Sequence, residues 1–197
     1  MPCLDIYVHY TGATIGLWKV EESISELECW FPDLIAGEKY RSFNHDLRKL
    51  EWLVARALMK EMGLSWSLSY SEHGKPYYPE GPKISLTHSK EYVAIITHSS
   101  NEVGIDVQEI VPKVERIKHK YCNAEELSWA NSVEDYTLIW SAKEAMFKVK
   151  ERNVNFSEDI AVSLVSDQKL RIAFKSTEVY SAHLLDLEGY KGVFMVG

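Results

Sequence analysis

The sequence has few cysteines and no long apolar run. Its three cysteines, Cys3, Cys29 and Cys122, are odd in number and widely spaced, so they fit neither a disulfide framework nor a zinc site. No apolar run approaches the roughly 20 residues that a membrane-spanning helix needs. The first residues lack the basic start and apolar core of a signal peptide. We therefore expect no membrane partner, and the cytoplasm is the simplest location.

Positive charge is also scarce. The chain has 22 Lys and Arg against 29 Asp and Glu, which gives a net charge of -7. Such a balance argues against bulk binding to nucleic acid. What the chain does have is 46% hydrophobic and 12% aromatic residues over 197 positions. This composition predicts a packed core in one generous domain or two small lobes.

One helix is predicted with a clear start. Ser132 and Asp135 have capping-box spacing, and an apolar run follows them directly. Within this helix Glu144 and Lys148 lie one turn apart and share a face. One interpretation is a solvent-exposed ion pair, which contributes only a few tenths of a kcal/mol.

A strand is predicted around Asp106, because residues alternate between apolar and polar from Val103 onward. Period two places Asp106 and Gln108 on one face of this strand. These two side chains could meet Glu144 and Lys148 of the predicted helix. Carboxylate and amide oxygens beside an ammonium suit a hard divalent cation next to a phosphate.

Together the two stretches resemble the Sfp-type 4′-phosphopantetheinyl transferases. The match rests on Gly104-Ile105-Asp106 and on the later segment Trp140–Lys148, which reads Trp-Ser-Ala-Lys-Glu-Ala-Met-Phe-Lys. The order and spacing of the two motifs are those of the family. Gln108 departs from it, because an acidic residue is commoner at that position.

The resemblance implies an α+β fold. Family members are pseudo-dimers of two similar α+β lobes with antiparallel sheets, and the active site lies at the lobe junction. We accordingly expect a single transferase unit, with an N-terminal lobe over residues 1–100 and a C-terminal lobe over residues 101–197.

The resemblance also implies a reaction. Such an enzyme moves 4′-phosphopantetheine from coenzyme A to a serine of an apo carrier protein and releases adenosine 3′,5′-bisphosphate. The implied cofactor is Mg²⁺, held by Asp106 and Glu144, with Gln108 as a direct or water-mediated ligand. Lys148 would act on the leaving bisphosphate, and Lys143 would be a second phosphate contact. Either Glu144 or a metal-bound water would take the serine proton.

Three further segments match the family at its coenzyme A site. They are Ala55-Arg56-Ala57-Leu58, Gly74-Lys75-Pro76 and the run that ends in His88-Ser89. Each also has a simpler structural interpretation. Arg56 could be an arginine on an amphipathic helix, Lys75 a solvated lysine in a turn, and His88 a hydrogen-bonded structural histidine. The resemblance assigns coenzyme A contacts to Lys39, Arg41, Arg56, Lys75, His88 and Ser89.

The acidic chain contains one basic cluster, from Lys113 to Lys120. Such charge runs are often simply a solvated face. The alternative is a docking surface for an acidic acyl or peptidyl carrier protein, because opposite charges speed encounter. From the two-lobe form of the family we expect a monomer.

Other elements are predicted from pattern alone. A helix over about residues 21–30 should end before Pro32, and the next helix should be capped by Asn44 or Asp46. A hairpin should join the strand Tyr92–Thr97 to the Asp106 strand. Four strand-like runs after Lys148 should complete an antiparallel sheet.

Two other functions remain open at this point. The chain could be a degenerate relative that binds coenzyme A without transferring its arm, and Gln108 favours this alternative. It could also be a non-enzymatic interaction protein in which Glu144 and Lys148 are surface residues.

Overall fold

The computed structural model of the chain describes residues 3–150 and 153–197, and the side chains of Cys3 and Leu4 lie outside the described part. The elements of the first half are β1 (Cys3–Val8), β2 (Thr14–Lys19), α1 (Ile24–Trp30), α2 (Pro32–Ile35), α3 (Glu38–Arg41), α4 (Asp46–Glu61), β3 (Ser69–Tyr70), β4 (Pro76–Tyr77), β5 (Lys83–Ser89) and β6 (Tyr92–His98). Those of the second half are β7 (Val103–Glu109), α5 (Lys113–Arg116), a 3₁₀ turn (Lys118–Lys120), α6 (Ala124–Trp129), α7 (Val133–Lys150), α8 (Phe156–Asp159), β8 (Ile160–Ser166), β9 (Lys169–Phe174), β10 (Glu178–Leu187) and β11 (Tyr190–Val196).

The described residues form an α+β fold with two main antiparallel sheets. The first sheet has the strand order β1-β2-β6-β5, and the second has the order β7-β11-β10-β9-β8. The four runs after Lys148 do form an antiparallel sheet, as predicted. In the described part of the chain no helix has the length and apolar character to cross a membrane.

The predicted hairpin between the Tyr92 and Asp106 strands is wrong. Strand β6 already pairs with β2 on one side and with β5 on the other. Strand β7 therefore leaves this sheet and pairs with β11, the last strand of the chain. Local alternation cannot reveal this exchange, because partner choice depends on residues about 90 positions away.

Each main sheet is covered by one long helix. Helix α4 packs Leu53 and Leu58 against Trp18 and Ile95 of the first sheet. Helix α7 is buried on most of its circumference and contributes residues such as Ile139 to the core of the second sheet. Because burying apolar area is the main favourable term in folding, these contacts fix both helices on their sheets.

The predicted N-terminal cap is observed for helix α7 and not for helix α4. Ser132 and Asp135 make the reciprocal capping contacts predicted for α7. Helix α4 has His45 at its N-cap position, and that side chain makes no capping bond. The expectation that Asn44 or Asp46 caps α4 is therefore wrong.

The two sheets are joined by a shared core and by side-chain hydrogen bonds. Ile15, Ile96, Ile105 and Phe194 belong to one buried cluster that draws on both sheets. Along β5, the hydroxyls of Ser85 and Thr87 accept hydrogen bonds from the Ile105 and Val107 amides of β7, at 3.3 and 3.4 Å. Strand β7 is thus held against β5 without a backbone ladder, and polar groups collect along this seam.

Candidate active site

Helix α7 approaches β7 unusually closely at Gly104. A Cβ atom at that position would lie 2.0 Å from the carbonyl oxygen of Ala145. Any side chain would therefore force the helix away from the strand. The glycine of the Gly-Ile-Asp motif is what allows the strand face carrying Asp106 to lie directly under α7.

Asp106 is 3% exposed and lies at the centre of a hydrogen-bond network. Its Oδ1 accepts from Lys148 Nζ at 2.8 Å and from Thr87 Oγ1 at 3.3 Å. Its Oδ2 accepts from Gln108 Nε2 at 2.8 Å, and its carbonyl accepts from Ser141 Oγ at 2.9 Å. Buried carboxylates require such compensation. Lys148 therefore pairs with Asp106, across two elements, rather than with Glu144 as in the surface-pair interpretation.

Glu144 is half-buried and near the same carboxylate. Burial raises its pKa, the negative charge of Asp106 raises it further, and the Lys148 ammonium partly offsets both effects. Two carboxylates that repel each other in a partly desolvated place are a recurrent feature of catalytic and cation-binding sites.

The donor set of Asp106, Glu144 and Gln108 fits a hard divalent cation. A cation would relieve the carboxylate repulsion that raises the Glu144 pKa. Among the described residues no cluster of three or more His, Cys, Asp or Glu side chains is arranged to hold a metal ion. Mg²⁺ does not need one, because it commonly takes one or two protein carboxylates and completes its shell with water and phosphate oxygens.

Beside these residues lies an open cavity of about 450 Å³, bounded by α4, α7, β5 and the loop around Gly74. This volume is in the range of small-molecule and cofactor sites. The cavity is lined by Lys39, Phe43, Arg48, Glu51, Trp52, Ala55, Arg56, Tyr70, His73, Gly74, Lys75, Pro76, Ser85, Leu86, His88, Glu144, Phe147 and Lys148.

Most of the residues that the sequence assigned to coenzyme A lie on this wall. They come from distant parts of the chain and are Lys39, Arg56, Lys75, His88 and Lys148. Arg41 and Ser89 are not among the described residues that line the cavity. Their expected contacts with coenzyme A have no support from this geometry.

The expected phosphate contact of Lys143 is wrong for this structure. Its side chain is 0% exposed, and its ammonium donates to Glu126 Oε2 at 2.7 Å. The same ammonium also donates to the carbonyl oxygens of Tyr121, Phe156 and Ile160 at 2.7 to 2.8 Å. Burial lowers the pKa of Lys143, and the Glu126 carboxylate opposes that shift. Lys143 therefore fastens α7 to its surroundings on the side away from the cavity.

Sequence reasoning missed several side chains of the wall. Arg48 and Glu51 project from α4 one turn apart, and Trp52 packs beside them. The guanidinium carbon of Arg56 lies 4.2 Å from the centroid of the Trp52 ring, a cation–π contact, and Arg56 is only 7% exposed. The sequence contained a signal for these side chains. They lie within about two turns of Arg56 on the same predicted helix, and Arg56 was already assigned to coenzyme A.

The comparisons with known proteins find similarity to 4′-phosphopantetheinyl transferases. Residues 102–191 match the family model of the 4′-phosphopantetheinyl transferase superfamily. Over these residues the chain is similar to that superfamily. It is 26% identical to the 4′-phosphopantetheinyl transferase AcpT of Escherichia coli O157:H7 over 137 residues, which is 64% of this chain and 69% of the relative. It is 30% identical to the 4′-phosphopantetheinyl transferase AcpT of Salmonella typhi over 70 residues, which is 34% of this chain and 36% of the relative.

The stretch matched to the superfamily covers only one side of the cavity. It includes Glu144, Phe147 and Lys148 of α7, which line the cavity. It also includes Asp106 and Gln108 of β7, which are not among the described residues that line it. The opposite wall, built by α4 and β5, precedes the matched residues. The geometry of that wall therefore adds support that the superfamily match does not contain.

Proposed function

We propose that the chain transfers 4′-phosphopantetheine from coenzyme A to a serine hydroxyl of an apo carrier protein. The observation that carries this proposal is the cavity wall, on which four separate chain segments bring cations together beside Glu144. An acidic chain that concentrates positive charge in one cavity is suited to an anionic ligand. Coenzyme A, with its pyrophosphate and 3′-phosphate, is such a ligand.

The cavity offers both parts of a nucleotide site. Lys39, Arg56, Lys75 and Lys148 supply positive charge for phosphates. The aromatic and apolar groups Phe43, Trp52, Tyr70 and Phe147 supply surface for the less polar parts of the ligand. Arg56, stacked on Trp52, presents a guanidinium whose position is already fixed by packing. This preorganisation reduces the entropy lost on binding.

The proposal includes Mg²⁺ as cofactor. Asp106 and Glu144 would hold it, with Gln108 as a direct or water-mediated ligand. When bound, the ion would neutralise part of the pyrophosphate charge, which is the main electrostatic requirement of phosphoryl transfer. Gln108 can turn its amide oxygen toward this place by rotating its amide away from Asp106, to which it now donates.

The residues of the chain then have separate tasks. Either Glu144 or a metal-bound water accepts the proton of the attacking serine hydroxyl. The serine oxygen bonds to the β-phosphorus, and the bond from that phosphorus to the adenosine bisphosphate oxygen breaks. Lys148 stabilises the negative charge on the departing bisphosphate. Asp106 keeps Lys148 in place until coenzyme A arrives.

The carrier protein would dock on the basic segment from Lys113 to Lys120. Lys113, Arg116 and Lys120 are exposed there, while Val114 packs into the core beneath α7. Lys118 donates to the hydroxyl of Tyr136 on α7 at 2.9 Å. The basic surface is thus anchored to the helix that carries Glu144 and Lys148, which supports a role in presenting an acidic carrier to the site.

We further propose the family's two-lobe arrangement for this chain, with lobes over residues 1–100 and 101–197, and a monomeric enzyme. Each proposed lobe contains one main sheet and one long helix. The polar groups of the site lie where β5 of one lobe meets β7 of the other.

The test is the intact mass of apo carrier proteins after incubation with this protein, coenzyme A and Mg²⁺. Fatty-acid, polyketide and peptide-synthetase carriers should each be tried. We expect at least one to gain the mass of one phosphopantetheine, and EDTA should prevent the gain. Glu144→Gln should lose transfer while the matched control Glu134→Gln, exposed at the start of the same helix, retains it.

Two outcomes would overturn the proposal. Wild-type rates in Glu144→Gln with unchanged metal dependence would remove the assigned site. No mass gain on any carrier, with coenzyme A binding intact, would favour the non-transferring relative. In that case Gln108→Glu, which restores the usual acidic residue, is the variant to assay for recovered transfer.

A further inference from the structure

Glu51 occupies an unexpected place in the cavity wall. Its side chain is 11% exposed, and its carboxylate lies between Arg48 and His88, which also line the cavity. Oε1 is 3.1 Å from His88 Nδ1, and Oε2 is 3.3 Å from Arg48 Nη1. The Arg48 Nη1 is also 3.3 Å from His88 Nε2, which closes a ring of three side chains.

The chemistry of these contacts fixes the state of the His88 ring. A guanidinium can only donate, so Nε2 is the acceptor in the contact with Arg48. An ionised carboxylate can only accept, so Nδ1 carries the proton and donates to Glu51. Glu51 therefore selects one tautomer and one ring orientation of His88. A carboxylate behind a histidine commonly has this effect in functional sites.

A carboxylate is otherwise a poor neighbour for a phosphate. Its charge repels an anionic ligand, and on electrostatic grounds alone its removal should tighten coenzyme A binding. Glu51 also joins two elements, because it projects from α4 whereas His88 is the penultimate residue of β5. Arg48 lies three residues earlier on α4, on the same helix face as Glu51. The carboxylate is placed to hold the Arg48 guanidinium and the His88 ring at a fixed separation.

We propose that Glu51 is a positioning residue for the anionic end of coenzyme A. By accepting from His88 Nδ1–H, it keeps the Nε2 lone pair turned toward Arg48. Glu51 and His88 together hold the Arg48 guanidinium at the cavity, where its remaining N–H groups can donate to a phosphate. This inference rests on the proposed function, since it takes coenzyme A as the ligand.

The first test is calorimetric binding of coenzyme A to the folded wild-type protein, Glu51→Gln and Glu51→Ala. We expect Glu51→Ala to weaken binding about tenfold or more, equivalent to about 1.4 kcal/mol. Glu51→Gln, whose carbonyl oxygen still accepts from Nδ1–H, should stay within about threefold of wild type. Glu61→Ala, on the exposed end of the same helix, is the matched control and should bind as wild type.

The second test reads the His88 ring directly by ¹⁵N NMR in the unliganded protein. We expect the Nδ1-protonated tautomer in wild type and its loss in Glu51→Ala. In a His88→Ala background, Glu51→Ala should cause a smaller further loss of affinity, because the partner it positions is gone. Should Glu51→Ala not fold, Glu51→Gln and the wild-type tautomer still test the inference.

The contrary results are distinct. Equal or tighter coenzyme A binding by Glu51→Ala, or an Nε2-protonated His88 in wild type, overturns the positioning role alone. Absence of coenzyme A binding by the wild-type protein overturns the proposed function, and this inference with it.

Discussion

Lys148 Nζ lies 2.8 Å from Asp106 Oδ1, and this pair joins helix α7 to strand β7 beside the cavity that Lys148 lines. The ammonium also donates to the carbonyl oxygen of Ile105 at 2.7 Å. Asp106 is almost fully buried, whereas Lys148 keeps about a quarter of its side-chain surface exposed to the cavity. One lysine therefore compensates a buried carboxylate and presents positive charge to a ligand at the same time.

Lys148→Met should affect both stability and binding. We expect the free energy of unfolding to fall by about 1–3 kcal/mol, because Asp106 loses its cationic partner while keeping Thr87 and Gln108. We expect coenzyme A affinity to fall by about ten- to a hundredfold, since a charge-assisted contact is lost. Urea denaturation and calorimetry measure the two effects. Lys120→Met, on the exposed surface, is the control, and equal effects of the two variants would contradict the assignment.

Glu144→Gln should raise stability at neutral pH while removing transfer. Burial and the charge of Asp106 raise the pKa of Glu144 above its ordinary value of 4.5. Between 4.5 and the folded-state pKa, the folded chain holds a proton that the unfolded chain has lost, so wild-type stability falls as pH rises through that window. Glutamine has no such penalty.

The Glu144 prediction is checked by denaturation in EDTA at pH 4 and pH 7. We expect wild type and Glu144→Gln to have similar unfolding free energies at pH 4, and the variant to be the more stable at pH 7. A variant that is less stable than wild type at pH 7 would show that the Glu144 carboxylate is favourably paired in the folded protein.

Gly104→Ala should be severely destabilising. Its Cβ would meet backbone, the Ala145 carbonyl oxygen at 2.0 Å, and a helix backbone cannot yield locally. We expect a loss of about 3 kcal/mol or more. Gly16→Ala is the control, because its Cβ would meet the flexible Met62 and Leu58 side chains, and about 1 kcal/mol is expected there. Similar losses in both variants, measured by urea denaturation, would refute the close helix–strand approach.

Lys143→Met should lower stability without changing ligand affinity. The substitution leaves the Glu126 carboxylate without a cation in a fully buried place, and such losses cost about 3–5 kcal/mol. Coenzyme A affinity of the folded protein should match wild type, in contrast to Lys148→Met on the same helix. Calorimetry at a temperature where the variant is folded measures its coenzyme A affinity. A loss of affinity as large as that of Lys148→Met would contradict this prediction and indicate that Lys143 contacts the ligand.

Local pattern in the sequence was sufficient for several elements. The Ser132–Asp135 capping box, the alternation around Asp106 and the strand-like runs after Lys148 all correspond to observed structure, because each depends on residues close in the chain. The two motifs also predicted the resemblance to the 4′-phosphopantetheinyl transferases, and the superfamily match over residues 102–191 supports it. The antiparallel α+β class followed from that resemblance, and the described residues confirm it.

The sequence specifies which residue types are present and how they repeat, but packing between distant segments sets which groups each residue faces. Lys143 and Lys148 are both lysines of α7, about 140° apart around the helix. Since α7 is buried on most sides, no apolar stripe marks its cavity face, and the contacts with Glu126 and Asp106 assign the two lysines opposite roles. In the sequence Glu51 likewise looks like any helical glutamate, and only the packing of β5 against α4 places His88 beside it. Such contacts form between distant parts of the chain, so local periodicity carries no information about them.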